Sequence, residues 1–252
     1  MKIDFTGKRV LVTGASSGIG AATAAAFGTA GATVGVHFNS SRDGARQTAA
    51  VIERAGGKAI LLQGNLTKEA ACIRTVEHFA RKAGGIDVLV NNAGGLLLRA
   101  PAENYDAKTF NDTFLLNVTS AFLCTRTAIP HLRRAGGGCI IFVSSVATRF
   151  GPVGVCAYAA AKTALNGLAM CLARELAPDR IRVNAVAPGV IDTPFHKATP
   201  ADRLAALKEM ILMKRFGQAD EVARAIVFLA SDAASYITGE CLDVNGGMNM
   251  RC

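Results

Sequence analysis

Tyr158 and Lys162 stand four residues apart in a stretch, 157–177, that is patterned as a helix. That spacing puts both side chains on one helical face. A free phenol titrates near 10 and is a poor base at neutral pH. An ammonium beside it favours the phenolate and lowers that value. The pair is then able to give a proton to a carbonyl oxygen or take one from an alcohol. Ser145 follows the apolar run 139–144 and precedes Tyr158 by thirteen residues. A serine hydroxyl there can donate to an oxygen on which negative charge develops, and the adjacent Ser144 offers the same chemistry. Taken alone, a Tyr-x-x-x-Lys pair is far more often a half-buried tyrosine beside a solvated lysine, so the rest of the chain has to supply its context.

The turn Thr13-Gly14-Ala15-Ser16-Ser17-Gly18-Ile19-Gly20 lies after an apolar run and opens a helical pattern. Glycines there permit a tight turn and a close approach of the backbone to a pyrophosphate, which the helix amino terminus attracts through its free N–H groups and dipole. Two other readings share these residues. Gly14-Ala15-Ser16-Ser17-Gly18 also fits the GxSxG elbow of hydrolases, which needs an acid and then a histidine downstream. His37, His78, His131 and His196 stand in no such context. A Walker A loop is excluded, because no Gly-Lys-Ser/Thr occurs at the turn.

These residues need elements to hold them. Short apolar runs at 9–13, 33–38, 59–63, 88–91, 139–144, 182–187 and 240–244 alternate with helical patterns at 19–30, 44–55, 69–83, 107–134, 157–177 and 220–231. Near-continuously apolar strands separated by helices predict a parallel sheet covered on both faces, and right-handed crossovers make it doubly wound. The predicted fold is therefore a single α/β domain, a Rossmann-like doubly wound parallel sheet with helices on both faces. The segment 192–216 contains no strand pattern and reads as a mobile substrate flap carrying a helix.

The 252 residues are 50% hydrophobic and 19% charged, which fills one large core and excludes disorder of the whole chain. The net charge of +9 is dispersed in pairs such as Lys8-Arg9 and Arg133-Arg134, without a basic run or a tryptophan, so nucleic acid is not expected as a partner. Residues 10–41 carry no Asp, Glu, Lys or Arg, but six glycines and several polar residues interrupt them, so no membrane span is expected. Seven cysteines lack CxxC or zinc-ligand spacing, and no metal is expected. Reduced thiols and the absence of a secretory apolar run at the start point to the cytoplasm.

Together these motifs resemble those of the short-chain dehydrogenase/reductase family. The glycine turn is similar to its TGxxxGxG, Asn91-Asn92-Ala93-Gly94 to its NNAG, Tyr158 and Lys162 to its YxxxK, and Pro188-Gly189 with Thr193 to its PGxxxT. The resemblance implies an NAD(P)H-dependent oxidoreductase that interconverts a carbonyl and a secondary alcohol by hydride transfer. It assigns Asn117, Ser145, Tyr158 and Lys162 as catalytic residues, and it selects Ser145 over Ser144. Asn117, in the middle of the pattern 107–134, would hold a water that extends a proton relay through Lys162. Cofactor contacts are implied for Gly14, Ser16, Ser17, Gly18, Ile19, Gly20, Asn65, Leu66, Asn92, Ala93, Gly94, Tyr158, Lys162, Pro188, Gly189, Ile191 and Thr193. In Asn65-Leu66, the Asn65 carbonyl would accept from the adenine amino group.

Cofactor choice falls on the end of the second strand. Members that prefer NAD carry an acid there; this chain has Phe38, followed by Asn39, Ser40, Ser41 and Arg42. No carboxylate repels a 2′-phosphate and Arg42 can bind one, so NADP(H) is favoured, with NAD(H) possible. Against this, Ser17 stands where many NADP-binding members have Arg or Lys. The substrate zone is predicted at 95–99, 148–156 and the flap, with Leu96, Leu97, Phe150, Val153, Val155, Phe195, Met210 and Met213 making it apolar, and His196 read as a surface residue. The chain is most similar to 3-oxoacyl-[acyl-carrier-protein] reductases and to glucose dehydrogenase-related members; the first, which is favoured, implies an acyl-thioester or other small substrate, and acyl carrier protein. Arg133, Arg134 and Arg180 would meet that carrier near the site entrance. A sugar or polyol dehydrogenase, and a catalytically idle dinucleotide sensor, are the alternatives. A homotetramer is expected, with Leu165, Leu168 and Leu172 buried at one two-fold contact and the final strand, around 240–248, at another, a contact that the tail Met250-Arg251-Cys252 is able to alter.

Overall fold

A computed structural model describes residues 3–197 and 199–250. The first half runs β1 (Arg9–Val12), α1 (Gly18–Thr29), β2 (Thr33–Phe38), α2 (Arg42–Arg54), β3 (Lys58–Gln63), α3 (Glu69–Ala83) and β4 (Val88–Asn91). The second half continues with α4 (Ala107–Phe114), α5 (Ser120–Arg134), β5 (Gly138–Val143), the short α6 (Ala147–Phe150), α7 (Cys156–Leu176), β6 (Ile181–Pro188) and β7 (Ile191–Asp192). It ends with α8 (Ala201–Met210), β8 (Gly217–Gln218), α9 (Ala219–Ala230) and β9 (Cys241–Val244).

Seven strands form one sheet in the order β3-β2-β1-β4-β5-β6-β9, and every ladder in it is parallel. Alternate residues of each strand point to opposite faces, and here both faces are apolar. Leu11, Leu89, Ile140 and Phe142 meet α3, α5 and α7 on one side, with Phe79, Cys124 and Leu165. Val10, Val12, Val90 and Ile141 meet α1 and α9 on the other, with Phe27, Val222 and Ile226. Each such side chain removed from water contributes about 1.5–3 kcal/mol. This two-sided burial is why the strands are legible as continuous apolar runs. The strand order reverses between β1 and β4, which opens a crevice at the carboxyl ends of these strands.

Four expectations are corrected. The pattern 107–134 is not one regular helix: a π turn at Leu115–Thr119 separates α4 from α5. Leu165 and Leu172 are buried in the protomer's own core, at 1% and 7% exposure, so neither is free for a subunit contact. The segment 192–216 is tied at its base, where β7 pairs with β8 through Ile191–Gly217 and Asp192–Gln218. Arg133, Arg134 and Arg180 sit where β5 and β6 begin, the edge of the sheet opposite the crevice, as the bond from the Gly138 N–H to the Arg180 carbonyl fixes. Arg133 there pairs with Asp179 at 2.7 Å, and Arg134 bonds His131 at 2.7 Å. Among the described residues, no helix is long and apolar enough to cross a membrane. Of the tail beside the expected second contact, Arg251 and Cys252 lie outside the described residues.

Candidate active site

The glycine turn is held by neighbours from two other strands. Asn92 donates from Nδ2 to the carbonyls of Thr13 and Gly14, at 2.9 and 3.0 Å. Thr13 Oγ1 in return accepts the N–H groups of Asn92 and Ala93. His37, in β2, accepts the Gly14 N–H at Nδ1, 3.0 Å away. Its Nε2 therefore carries the proton and donates to the Gly64 carbonyl at 3.0 Å. Burial lowers the His37 pKa, which keeps this tautomer neutral. Gly20 packs so tightly on this knot that a side chain there would collide with the Gly14 carbonyl and with Asn92. The first turn of α1 carries no acidic residue, so its N–H groups and dipole are left to an anion.

This turn forms one end of a cavity of about 460 Å³. Gly14, Ser17, Gly18, Ile19, Gly20, Asn92 and Gly94 line it from the glycine turn and the end of β4. Pro188, Gly189, Ile191 and Thr193 line it from the end of β6 and the start of the flap. Ser145, Tyr158 and Lys162 stand on the same cavity. Ser16, Ala93, Asn65, Leu66 and the run Asn39 to Arg42 do not line it. Asn39, Ser40, Ser41 and Arg42 are exposed beyond the glycine turn, while Phe38 before them is buried. Asn65 departs from its expected role. Its Oδ1 accepts from Thr67 N and Oγ1, at 3.1 and 2.8 Å, so the amide offers Nδ2 rather than its carbonyl. Leu66 is buried in the core. The pattern Asn65-Leu66-Thr67 is an Asx-turn signature, a local signal that was readable.

Tyr158 and Lys162 rise from α7. Lys162 is 4% exposed, donates from Nζ to the Val143 carbonyl at 2.8 Å and lies 5.8 Å from the centre of the Tyr158 ring. Burial lowers its pKa to about 8. Tyr158 moves opposite to expectation. Burial pushes its pKa up to about 12, and only a hydrogen bond with Ser145 works the other way. The ammonium does not offset desolvation, because it faces the ring and spends a proton on Val143. The chain by itself thus favours the protonated phenol of Tyr158. Ser145 also accepts the Ala147 N–H at 3.1 Å, which fixes its position at the start of α6.

Asn117 sits in the π turn, and this turns its amide inward: it is fully buried. It accepts the Gly95 N–H at 3.0 Å and donates to the carbonyls of Gly95 and Thr113 at 3.0 and 2.9 Å. Both amide protons are spent, so the side chain acts as a brace on the loop after β4. A Cβ on Gly94 would stand 2.5 Å from Asn117 Oδ1 and 3.0 Å from Lys162 Nζ. The two side chains therefore converge on one glycine. His37 and Thr13 were missed as site residues because their roles depend on which strands become neighbours.

At the substrate end the expected apolar lining is only partly present. Leu96, Phe150, Val155 and Phe195 line the cavity, whereas Leu97, Val153, Met210 and Met213 are exposed outside it. His196, expected on the surface, is half-buried and lines the cavity with Arg99, Arg203, Leu207 and Met248.

A family model described as Enoyl-(Acyl carrier protein) reductase matches residues 14–249. The oxidoreductase YgfF of Escherichia coli (strain K12) is 42% identical over 242 residues, covering 94% of this chain and 98% of that protein. The 3-oxoacyl-[acyl-carrier-protein] reductase FabG of Escherichia coli (strain K12) is 40% identical over 252 residues, covering 98% of this chain and 100% of that one. A short-chain dehydrogenase from Burkholderia cenocepacia J2315, solved in complex with NADP, superposes with a TM-score of 0.92 at 35% identity, covering 98% of this chain and 99% of that one. Likeness on this scale spans the glycine turn, the buried lysine and the whole sheet, and the chain belongs to the short-chain dehydrogenase/reductase family of oxidoreductases.

Proposed function

We propose that the chain is an NADP(H)-dependent ketoreductase that reduces the carbonyl of a small-molecule or acyl-thioester substrate to a secondary alcohol. The observation that carries this reading is the convergence of Ser145, Tyr158 and Lys162 on the cavity that also holds the glycine turn. The bound nicotinamide supplies the hydride. Ser145 donates to the substrate oxygen as negative charge grows on it, and Tyr158 delivers the proton its raised pKa retains. Lys162 holds the Tyr158 side of α7 in place through Val143 and carries the positive charge that favours proton release. Asn117 braces Gly95 so that the loop after β4 keeps its distance from Lys162.

NADP(H) preference rests on Phe38, which leaves the end of β2 without a carboxylate, and on Arg42. The Arg42 guanidinium makes no ion pair among the described residues and stands exposed at the start of α2. The reductase FabG among the relatives favours an acyl-thioester substrate over a sugar. The cytoplasm is the proposed location and a homotetramer the proposed assembly. For one two-fold contact the support is an apolar groove between the α4–α5 rod and α7, lined by Val118, Phe122, Ala164, Gly167 and Leu168.

The test is oxidation of NADPH and NADH with ketones, acyl thioesters and sugars. The expected result is reduction of ketones or thioesters, faster with NADPH, and loss of turnover in Tyr158→Phe with NADPH still bound. Near-normal turnover in that variant overturns the reading, and equal use of both cofactors overturns the NADP(H) preference. Light scattering reads the assembly, and a mass near 26 kDa rejects both contacts.

A further inference from the structure

We propose that the carbonyl substrate carries an anionic group, a carboxylate or a phosphate, bound by Arg99 and Arg203 at the mouth of the catalytic cavity. The proposal rests on the ketoreductase reading above and names the substrate class that reading leaves open.

The cavity has two ends. Its nucleotide end is the glycine turn, where the α1 amino terminus would hold the cofactor's pyrophosphate. Beyond Tyr158 the rings step outward, Phe195 6.0 Å from Tyr158 and His196 5.1 Å from Phe195. At that outer end stand Arg99, from the loop after β4, and Arg203, from α8. Both gather over the turn at 153–154. Arg203 donates from Nη2 to the Val153 carbonyl at 3.2 Å, and the Arg99 Cγ lies 3.4 Å from where a Cβ on Gly154 would be. Burial lowers the pKa of Arg99 and of His196, and the neighbouring charge adds to it, that of Arg203 on Arg99 and that of Arg99 on His196.

Two like charges held together need a counter-charge, and none comes from the described residues that line the cavity. No Asp or Glu lines the cavity among the described residues. Asp192 acts on His196 but pairs with neither arginine. Other half-buried or flap arginines meet a carboxylate: Arg9 with Asp87, Arg149 with Asp243, Arg215 with Glu221. Arg99 makes no ion pair or hydrogen bond among the described residues, and Arg203 makes only its bond to Val153. Planar forks of donors suit the paired oxygens of a carboxylate or phosphate. The apolar wall of Leu96, Phe150 and Leu207 then takes the carbon chain between the anion and the reacting carbonyl.

The experiment is steady-state NADPH oxidation by the full chain with paired substrates. One arm sets 3-oxobutanoate, 4-oxopentanoate and 5-oxohexanoate against their methyl esters. The other sets 3-oxobutanoyl phosphopantetheine thioester against its N-acetylcysteamine analogue, which lacks the phosphate. In at least one pair the anion is expected to exceed its neutral counterpart by about 10–100-fold in kcat/KM, the scale of hydrogen bonds to charged groups. In an Arg99→Ala/Arg203→Ala variant the ratio falls to about one, chiefly through KM. Preference in the first arm names a carboxylate and in the second a phosphate. Equal rates in both arms, or a preference that survives the double variant, overturn the proposal. Should the double variant not fold, the wild-type ratios decide alone. If nothing is reduced, the ketoreductase reading fails, and calorimetry with 4-oxopentanoate and with inorganic phosphate decides the anion site. Binding lost in the double variant sustains it, and no binding overturns it.

Discussion

At the nucleotide end of the cavity the Gly14 backbone is tied on both sides by side-chain hydrogen bonds, and only the α1 amino terminus is left open. His37, Asn92 and Thr13 hold Gly14 and its neighbours from β2 and β4, and Gly20 packs against the loop without room for a methyl group. At the substrate end α8 buries none of its residues, and Phe195, Met210 and Met213 stand 47–64% exposed. One end is fixed by close contacts that tolerate few residue types. The other is a surface on which side chains can change at little cost to the fold. On the proposed function, reaction class resides at the first end and substrate choice at the second, and substitutions should separate the two.

The largest effect is expected at Lys162. Lys162→Met removes the charge beside Tyr158 and should lower turnover by about 10²–10⁴-fold, the span of general acid–base catalysis. Its pKa of about 8 in the folded chain gives a further check. In the wild type kcat/KM should fall as pH rises through about 8, where the ammonium discharges. Stability should do the reverse. The unfolded chain keeps this proton up to about 10.5, so between about 8 and 10.5 the folded chain binds fewer protons and stability rises with pH. Thermal melts across that range should show the rise in the wild type and a flatter profile in Lys162→Met.

Next comes Gly94→Ala. The new methyl group would stand 2.5 Å from Asn117 Oδ1, and Asn117 cannot retreat because three hydrogen bonds hold it in a fully buried site. Displacing Asn117 or Lys162 should cost about 10²-fold in kcat, as small misplacements of catalytic groups do. Overpacking should also cost about 1–3 kcal/mol of stability. A fully active, equally stable variant would show that the catalytic end is looser than its hydrogen bonds imply.

These two residues mark where sequence reading reached and where it stopped. Lys162 and Tyr158 are legible because four residues on a helix is a local relation. The strands are legible because burial on both faces makes them apolar throughout. Asn117 is not, since its inward turn comes from a π turn braced by Gly95, which is remote in sequence. The direction of the Tyr158 shift is hidden for a related reason: desolvation belongs to the assembled cavity, not to the Tyr158–Lys162 spacing. Leu165 and Leu172 were assigned to a subunit contact because a helix apolar nearly all round does not announce which face meets its own sheet. Arg99 and Arg203 lie on separate segments and become neighbours only when α8 folds over the turn at 153–154.

His37 should give a smaller effect, on cofactor binding rather than chemistry. His37→Phe strands the Gly14 N–H and the Gly64 carbonyl, at about 1–3 kcal/mol for an unsatisfied buried group. KM for NADPH should rise about tenfold, the equivalent of about 1.4 kcal/mol, with kcat little changed. Because burial lowers the His37 pKa, the unfolded chain takes up this proton first as pH falls below about 6.5. Wild-type stability should therefore decline on acidification below that value, and this component should be missing from the variant's melting profile. A rise in KM with no change in acid sensitivity would separate the loop-holding role from the titration.

The smallest effect on the fold, and the sharpest on selectivity, is expected at Leu207. It lines the cavity from α8, as Arg203 does, and no residue of that helix is fully buried. Truncation to alanine therefore leaves no sealed void, and stability should stay within about 0.5 kcal/mol of wild type, as for surface substitutions. The Kd for NADPH should also be unchanged, since the glycine turn proposed to hold the cofactor lies at the opposite end. What changes is the apolar wall beside the substrate chain. Each methylene matched or lost in such a pocket is worth about 1–3 kcal/mol, so the ranking of ketones by chain length should shift by about tenfold or more in kcat/KM. Steady-state kinetics over a series of 2-ketones reads this directly. If Leu207→Ala instead weakens NADPH binding or unfolds the chain, α8 belongs to the rigid end, and the division between a fixed chemistry and a free specificity surface is drawn in the wrong place.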